Sequence, residues 1–371
     1  MSNVIRRTIS IKLITNTEQS RALTRLQKEY NIACTEIASI AYAKQCYNKV
    51  ALHHLVYYEL RRNTKLGAQM VCNAIRAVSD AIYSLKRAKK KVVTNIIFRP
   101  TSSVHFDKRT YTIKEDIISL NTLSKRIKVS THLGEFQREY LKRGTSKEAE
   151  LIYKKGCWYF NLVLDFLETP MLPSNGMVLG IDTGVNNLVA TSSGKLIGGD
   201  KLIHDRNKFL ALRRRLQSNG TKSSRQLLKK ISGKEARRIR HVNHVASKDV
   251  VKEAIAHGCN TIGMEELTNI RSRIKAGKRM RSRLHGWAFA QLQGFIEYKA
   301  HEKGLRTVYV NPAYTSKTCA ICGSIGVRSK HRFRCKLCGI QRHSDLNASQ
   351  NIRRIAISAD VATGAVNCPY V

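Results

Sequence analysis

Four cysteines in the pattern Cys319-x2-Cys322-x12-Cys335-x2-Cys338 have the spacing of two metal knuckles. Four thiolates meeting at one point suit a tetrahedral zinc ion, and a closed shell of this kind leaves no position open for chemistry, so the expected metal is structural. Seven residues beyond the last cysteine stands Asp345, opening the string Asp345-Leu-Asn-Ala-Ser-Gln-Asn-Ile352. Two further acids close apolar runs of strand length: Asp182 after Met177-Val-Leu-Gly-Ile181 and Glu265 after Asn260-Thr-Ile-Gly-Met264. Strands of one sheet bring their ends together, so three acids far apart in sequence are expected to converge on one edge. Such hard oxygen ligands suit Mg²⁺ or Mn²⁺. Two such ions about 3.5–4 Å apart polarise a phosphate and activate water for in-line attack.

Each acid alone has a plainer role. Asp182 within Gly180-Ile-Asp-Thr-Gly184 suits a turn, Glu265 beside Glu266 a solvated loop or helix start, and Asp345 a helix N-cap. Together, at consistent points of one element order and beside a cysteine cluster, they read as a catalytic metal centre.

The elements that must position them follow from the hydrophobic pattern. Residues 177–352 give hairpin strands (Asn187–Thr191 and Lys195–Ile197, turning at Ser193-Gly194), helices over 206–257 and a strand ending at Glu265. A helix face at Ala288, Leu292, Phe295 and Ile296, a strand at Arg306–Val310, the knuckle at 312–341 and a helix near Asn347–Ile352 complete the series. That order is the order of an RNase H-like α/β domain with a zinc-knuckle insertion. Ahead of it, residues 5–14 partly alternate as a strand, and short strands recur over 95–165, among them Asn95–Arg99, Arg126–Ser130 and Trp158–Leu164. Between them Val71, Ile75, Val78, Ile82 and Leu85 mark one helix face. Residues 1–16 and 95–170 are therefore expected to form a small β-barrel, interrupted by a helical insertion over 17–94. Thr169–Gly176, with two of the five prolines, is the expected linker, and 353–371 a C-terminal tail.

The formal net charge is +40, from 66 Lys and Arg against 26 Asp and Glu, an excess that calls for a polyanionic partner. Positions 201–250 alone hold fifteen Lys or Arg against three acids, including Arg213-Arg-Arg215, Lys229-Lys230 and Arg237-Arg238. The basic run Lys86–Lys91 and the aromatics Tyr57, Tyr58, Trp158 and Trp287 are further candidates for nucleic-acid contact, although core packing is the better reading of both tryptophans. No apolar run nears the twenty residues of a membrane span and the first residues lack a secretory core, so a cytoplasmic, nucleoid-associated protein is expected. Cys34, Cys46, Cys72, Cys157, Cys259 and Cys368 are scattered singly and read as small core residues. His331 and His343 flank the cysteine cluster as neighbours rather than ligands, and His241 and His244 on the basic helix suit packing or phosphate contact.

The acidic strings resemble the three motifs of a RuvC-type nuclease: Gly180-Ile-Asp-Thr-Gly-Val-Asn-Asn-Leu188, Gly263-Met-Glu-Glu-Leu267 and Asp345-Leu-Asn-Ala348. The lead-in Asn311-Pro-Ala-Tyr-Thr-Ser-Lys-Thr-Cys-Ala-Ile-Cys-Gly323 and the helix from Trp287 to Ala300 resemble the TnpB (OrfB) family of transposon-encoded proteins, related to type V CRISPR effectors. The resemblance covers roughly 177–352. It implies an RNA-guided DNA endonuclease that binds a guide RNA from the transposon end and cuts double-stranded target DNA, with Asp182, Glu265 and Asp345 as metal ligands. The front half would hold RNA and duplex DNA, sequence reading being delegated to base pairing. Ser344 and Ala348-Ser349 depart from the family's usual Arg before the last Asp and Ala-Ala after the Asn. A nucleic-acid-binding transposase or regulator without guided cleavage is the alternative.

Overall fold

In a computed structural model of the chain, residues 4–87, 96–184, 186–267 and 288–366 are described, with side chains as far as residue 360. The chain divides into two compact units, Met1–Glu168 and Thr169–Val371.

The first unit is built on a long pair of antiparallel strands, β1 (Val4–Ile14) and β7 (Cys157–Leu167), in register from Val4 opposite Leu167 to Lys12 opposite Tyr159. Alternation along β1 turns Ile9, Ile11 and Leu13 inward. The other strands are β2 (Val104–Phe106), β3 (Tyr111–Lys114), β4 (Ile117–Asn121), β5 (Arg126–His132) and β6 (Thr145–Lys154), in the order β2-β6-β7-β1-β5-β4-β3. Helices α1 (Thr17–Ala43), α2 (Lys49–Asn63) and α3 (Ala68–Arg87) follow β1, and α4 (Glu135–Arg143) follows β5. A capping box starts α1: Asn16 Oδ1 accepts from Gln19 N at 2.8 Å, and Gln19 Oε1 accepts from Asn16 N at 3.0 Å. Val71, Ile75, Val78 and Ile82 of α3 join Leu23, Leu26, Trp158 and Phe160 in one core.

Two expectations change here. The barrel is half-formed: the seven antiparallel strands make a half-barrel, and among the described residues no pairing joins β2 to β3. The strand expected at 95–99 is, over its described residues 96–99, an unpaired run held against α1, where Phe98 N donates to Thr35 Oγ1 at 3.1 Å. Of the basic run at 86–91, Lys86 lies over the Tyr47 ring at 3.9 Å, a cation–π contact, and its last residues lie outside the described ones, as do Asn95, Trp287 and Cys368. Trp158 is core, with its indole N–H donating to Ser20 Oγ at 3.1 Å.

The second unit centres on a five-stranded sheet in the order β10-β9-β8-β11-β12. Its strands are β8 (Val178–Asp182), β9 (Asn187–Thr191), β10 (Leu196–Gly198), β11 (Thr261–Glu265) and β12 (Arg306–Val310). The first three pair antiparallel and β8, β11 and β12 run parallel. Between β10 and β11 come α5 (Asp200–Asn219), α6 (Lys222–Ile231) and α7 (Lys234–Ala256); α8 (Phe289–His301) precedes β12. A small sheet of β13 (Val327–Ser329), β14 (Arg332–Arg334) and β15 (Gln341–His343) leads directly into α9 (Ser344–Val366). The expected linker is packed onto this unit: Leu172 N donates to Gly304 O at 2.8 Å and Asn260 Nδ2 to Pro173 O at 2.9 Å. The expected tail is helix as far as Val366, because buried Asp360 receives Thr261 Oγ1 at 3.0 Å, bonds Ser174 and pairs with Arg306 at 3.3 Å.

Both faces of this sheet are covered, as a parallel sheet requires. Leu179, Ile181, Ile262 and Met264 pack with residues of α7 and α8, while Val178 packs with Ile352 and Ala356 of α9. Glycine lets α9 lie this close. A Cβ on Gly180 would stand 2.2 Å from Ser349 O, and one on Gly263 2.6 Å from Ala356 Cβ. Gly180→Ala is therefore expected to lower unfolding stability by about 1–3 kcal/mol or more, since backbone must shift. Gly198→Ala, whose Cβ would meet nothing within 4 Å, is the control and stays near the parent in thermal or denaturant unfolding. Equal stability of the two variants would contradict the close approach.

Candidate functional site

Alternation of side chains along a strand decides which residues face α9. Asp182 shares its face of β8 with Val178 and Gly180, and Glu265 shares its face of β11 with Gly263, which meets Ala356 and Ile352. Parallel pairing sets Ile181 beside Met264, so Asp182 and Glu265 are the next residues on adjacent strands. Asp345 stands in the first turn of α9, the helix covering this face. The three sequence-expected acids are thus brought to one end of the sheet.

Their electrostatics record the convergence. Burial, followed by the charges of Glu265 and then Asp345, pushes the Asp182 carboxyl up to about 8, while Arg328 acts the other way. Burial also raises Glu265, opposed by a hydrogen bond from Thr315 and by Arg328. Thr315 Oγ1 donates to Glu265 Oε1 at 2.5 Å, and Gln293 Nε2 donates to the Glu265 carbonyl at 2.7 Å. Asp345 is 7% exposed; its Oδ1 receives Arg328 Nη2 at 3.0 Å and Ser344 Oγ at 3.1 Å, and its Oδ2 receives Asn187 Nδ2 at 2.9 Å. Three acids facing one guanidinium, one of them pushed toward its protonated form by the others, make a set whose ionised state added cations would favour.

The cysteine quartet also assembles. All four Sγ atoms lie within 4.8 Å of one another, with Cys319–Cys338 at 3.7 Å and Cys322–Cys335 at 3.5 Å. Tetrahedral thiolates about 2.3 Å from a zinc ion stand about 3.8 Å apart, so the cluster fits a metal ion. Two asparagines of α9 tie the lead-in of this knuckle to the acid-bearing helix. Asn347 Nδ2 donates to Thr318 O at 2.7 Å, and Asn351 Nδ2 to Thr315 O at 2.8 Å and Thr318 O at 2.6 Å.

Sequence reasoning gave no role to Arg328, Asn187, Asn347 or Asn351, although both ends of the last acidic string contain an asparagine. Thr315, in the string that leads into the cysteines, is 4% exposed and bonded to Glu265. His331 and His343, expected as neighbours of the cysteines, gather with the Asp345 carboxylate, one potential ligand atom of each lying within 4.8 Å of the others. His244 packs, its ring stacked on Phe295 at 3.9 Å. On α5–α7 two acids are used internally, Glu235 with Arg206 and Asp205 with Arg238, while Arg213, Arg214, Arg215, Lys229, Lys230 and Arg237 are exposed.

A carboxyl raised from an ordinary 3.8 to about 8 binds a proton in the folded chain that the unfolded chain releases. Without added divalent cations, its contribution to stability is complete below about pH 4 and is lost as the pH rises to about 8. Asp182→Asn removes that loss. The variant is expected to melt above the parent at pH 8 and to converge with it near pH 4, as thermal scans across pH would reveal. A gap that widens toward acid would contradict the burial of Asp182 among like charges.

Two family models match the chain: one described as "Probable transposase" over residues 163–271, and the "Cas12f1-like, TNB domain" over 289–352. A TnpB-like protein of Methanocaldococcus jannaschii is 30% identical over 246 residues, covering 62% of this chain and 86% of that protein. A CRISPR-associated endodeoxyribonuclease, Cas12f1 of Sulfoacidibacillus thermotolerans, is 32% identical over 219 residues, 54% of this chain and 50% of that one. The chain thus spans about half the length of that second relative. Among solved structures, Cas12f1 in a complex with sgRNA and target DNA shares the fold with a TM-score of 0.63 at 18% identity, over 92% of this chain and 83% of that one. CasPhi-2 bound to crRNA gives 0.54 at 10% identity, over 96% and 98%. With a TnpB-like relative matched over most of its length and both family models in chain order, the chain belongs to the TnpB family.

Proposed function

We propose that this chain is a transposon-encoded, RNA-guided DNA endonuclease whose catalytic residues are Asp182, Glu265 and Asp345, in a RuvC-type, RNase H-like nuclease domain over 177–352. The observation that carries the reading is the convergence of these three carboxylates on the α9 face of the sheet, in a chain of the TnpB family. The names of two relatives, a putative RNA-guided DNA endonuclease of Streptomyces pristinaespiralis and Cas12f1, support the same activity. A guide RNA from the transposon end and double-stranded target DNA are the partners, and the exposed arginines and lysines of α5–α7 fit their phosphates. Residues 1–16 and 95–170 act as a wedge and 17–94 as the recognition insertion, holding RNA and duplex in a cytoplasmic, nucleoid-associated complex. No helix among the described residues is long and apolar enough to cross a membrane.

The three carboxylates are the oxygen set that would hold Mg²⁺ or Mn²⁺. Bound there, a pair of such ions supplies charge stabilisation at the scissile phosphate and a water activated for attack. The chain's own groups prepare the place. Thr315 and Asn187 fix the orientations of Glu265 and Asp345 by hydrogen bonds, and Arg328 offsets the repulsion until cations replace it. Cys319, Cys322, Cys335 and Cys338 hold a structural Zn²⁺ that braces the segment carrying Arg328 and leading to Asp345.

The test is to express the gene with its native flanking DNA and to assay the purified complex for RNA and for cutting. The parent is expected to retain a discrete RNA of defined ends and to cut matching DNA only with Mg²⁺ or Mn²⁺. Asp182→Ala should keep the RNA and lose cutting by several orders of magnitude, whereas cutting at the parental rate would refute the assignment. Cys335→Ser should lose about one equivalent of zinc by elemental analysis together with most activity. An unchanged zinc content would refute the four-thiolate site.

A further inference from the structure

We propose that His331, His343 and Asp345 form a second divalent-cation site, selective for zinc-class ions, that takes Asp345 from the carboxylate centre when filled. The binding rests on the cluster itself; its consequence, a metal-dependent brake, rests on the nuclease reading above.

The site is preassembled by backbone pairing. His343 ends β15 two residues before Asp345, and His331 sits in the turn between β13 and β14. Ser344 N donates to His331 O at 2.8 Å, clamping that turn onto the start of α9. The two rings lie nearly parallel, 24° between planes and 5.4 Å between centroids. One nitrogen of each and a carboxylate oxygen of Asp345 fall within 4.8 Å of one another. Two imidazoles and a carboxylate are a set for Zn²⁺, Co²⁺ or Ni²⁺ and a poor one for Mg²⁺, which demands oxygen. The chemistry therefore separates this site from the all-carboxylate set that shares its third ligand.

Charge favours a cation here, because Asp182, Glu265 and Asp345 face Arg328 across the same end of the sheet. Contacts already made by these groups oppose an ion, and two of them are readily given up. Arg328 leaves Asp345 Oδ1, and with its side chain 38% exposed it can turn outward. The contact from Asp345 N–H to His343 Nδ1 is already long at 3.3 Å, so it resists little if that nitrogen turns to an ion. Asn187 on Oδ2 and Ser344 on Oδ1 hold the carboxylate beside the histidines. These costs oppose binding, and the site fills only when a transition-metal ion is available to outcompete a guanidinium.

The experiment adds Co²⁺ to the full-length, zinc-loaded protein and follows its visible absorption. Binding to nitrogen and oxygen gives visible bands without the near-ultraviolet thiolate band that exchange into the cysteine cluster would bring. One equivalent of such bands is expected for the parent, and their loss in His331→Ala, an exposed turn position whose backbone bond to Ser344 the alanine keeps. His343→Gln should lose them as well. Absence of the bands in the parent, or their persistence in His331→Ala, overturns the proposal whether or not the protein cuts DNA. In cutting assays at fixed Mg²⁺, Zn²⁺ should inhibit the parent, and roughly tenfold more or greater should be needed for His331→Ala, each protein being read against its own cutting without Zn²⁺. Equal inhibition of both would overturn the brake.

Discussion

Three carboxylates brought to one end of a sheet repel one another, and much of the second unit is arranged to hold them there. A pair of like charges about 5 Å apart costs on the order of 3 kcal/mol at an effective dielectric constant near 20. That repulsion, added to burial, raises Asp182 to about 8. A single hydrogen bond of about 1 kcal/mol does not offset it. The chain uses several restraints at once: Thr315 on Glu265, Asn187 and Ser344 on Asp345, and Arg328 acting on all three acids. The residual repulsion is what would favour a cation there, since added positive charge relieves it.

The cysteine cluster belongs to the same arrangement. Arg328 comes from β13 of the knuckle's sheet, Thr315 from its lead-in, and Asp345 follows its last strand. Asn347 and Asn351 return the connection from α9 to the carbonyls of Thr315 and Thr318. A metal ion at the four thiolates would therefore order the segments that restrain the acids, at a distance and without touching substrate. Close packing supplies the other half of the positioning. Only glycine at 180 and 263 lets α9 approach the sheet closely enough to bring Asp345 to the strand ends.

The acids were legible because each ends an apolar run or opens a helix, and because their order along the chain matches one architecture. Their convergence on one face was legible only in outline, since it depends on the parity that puts Gly180 and Asp182 on one side of β8 and Ile181 on the other. Arg328 left no signal: β13 is three exposed residues long, with no buried alternation to mark it as structure. The first unit was harder to read. Its strands at 4–14, 126–132 and 157–167 announced themselves by alternation, but pairing between distant strands decides between an open sheet and a closed barrel, and alternation is identical in both. Residues 96–99 carry the β-branched and aromatic character of a strand, yet Thr35 of α1 takes the backbone of Phe98 instead.

The central claim is that an RNA held by this protein directs three carboxylates to one DNA site. The most direct measurement replaces only the guide segment of the bound RNA and maps DNA cleavage by the purified complex in Mg²⁺. The account predicts that the cut moves to DNA matching the new guide and that the original target is spared. Cutting that ignores the replaced segment, or proceeds equally after the RNA is removed, would contradict it.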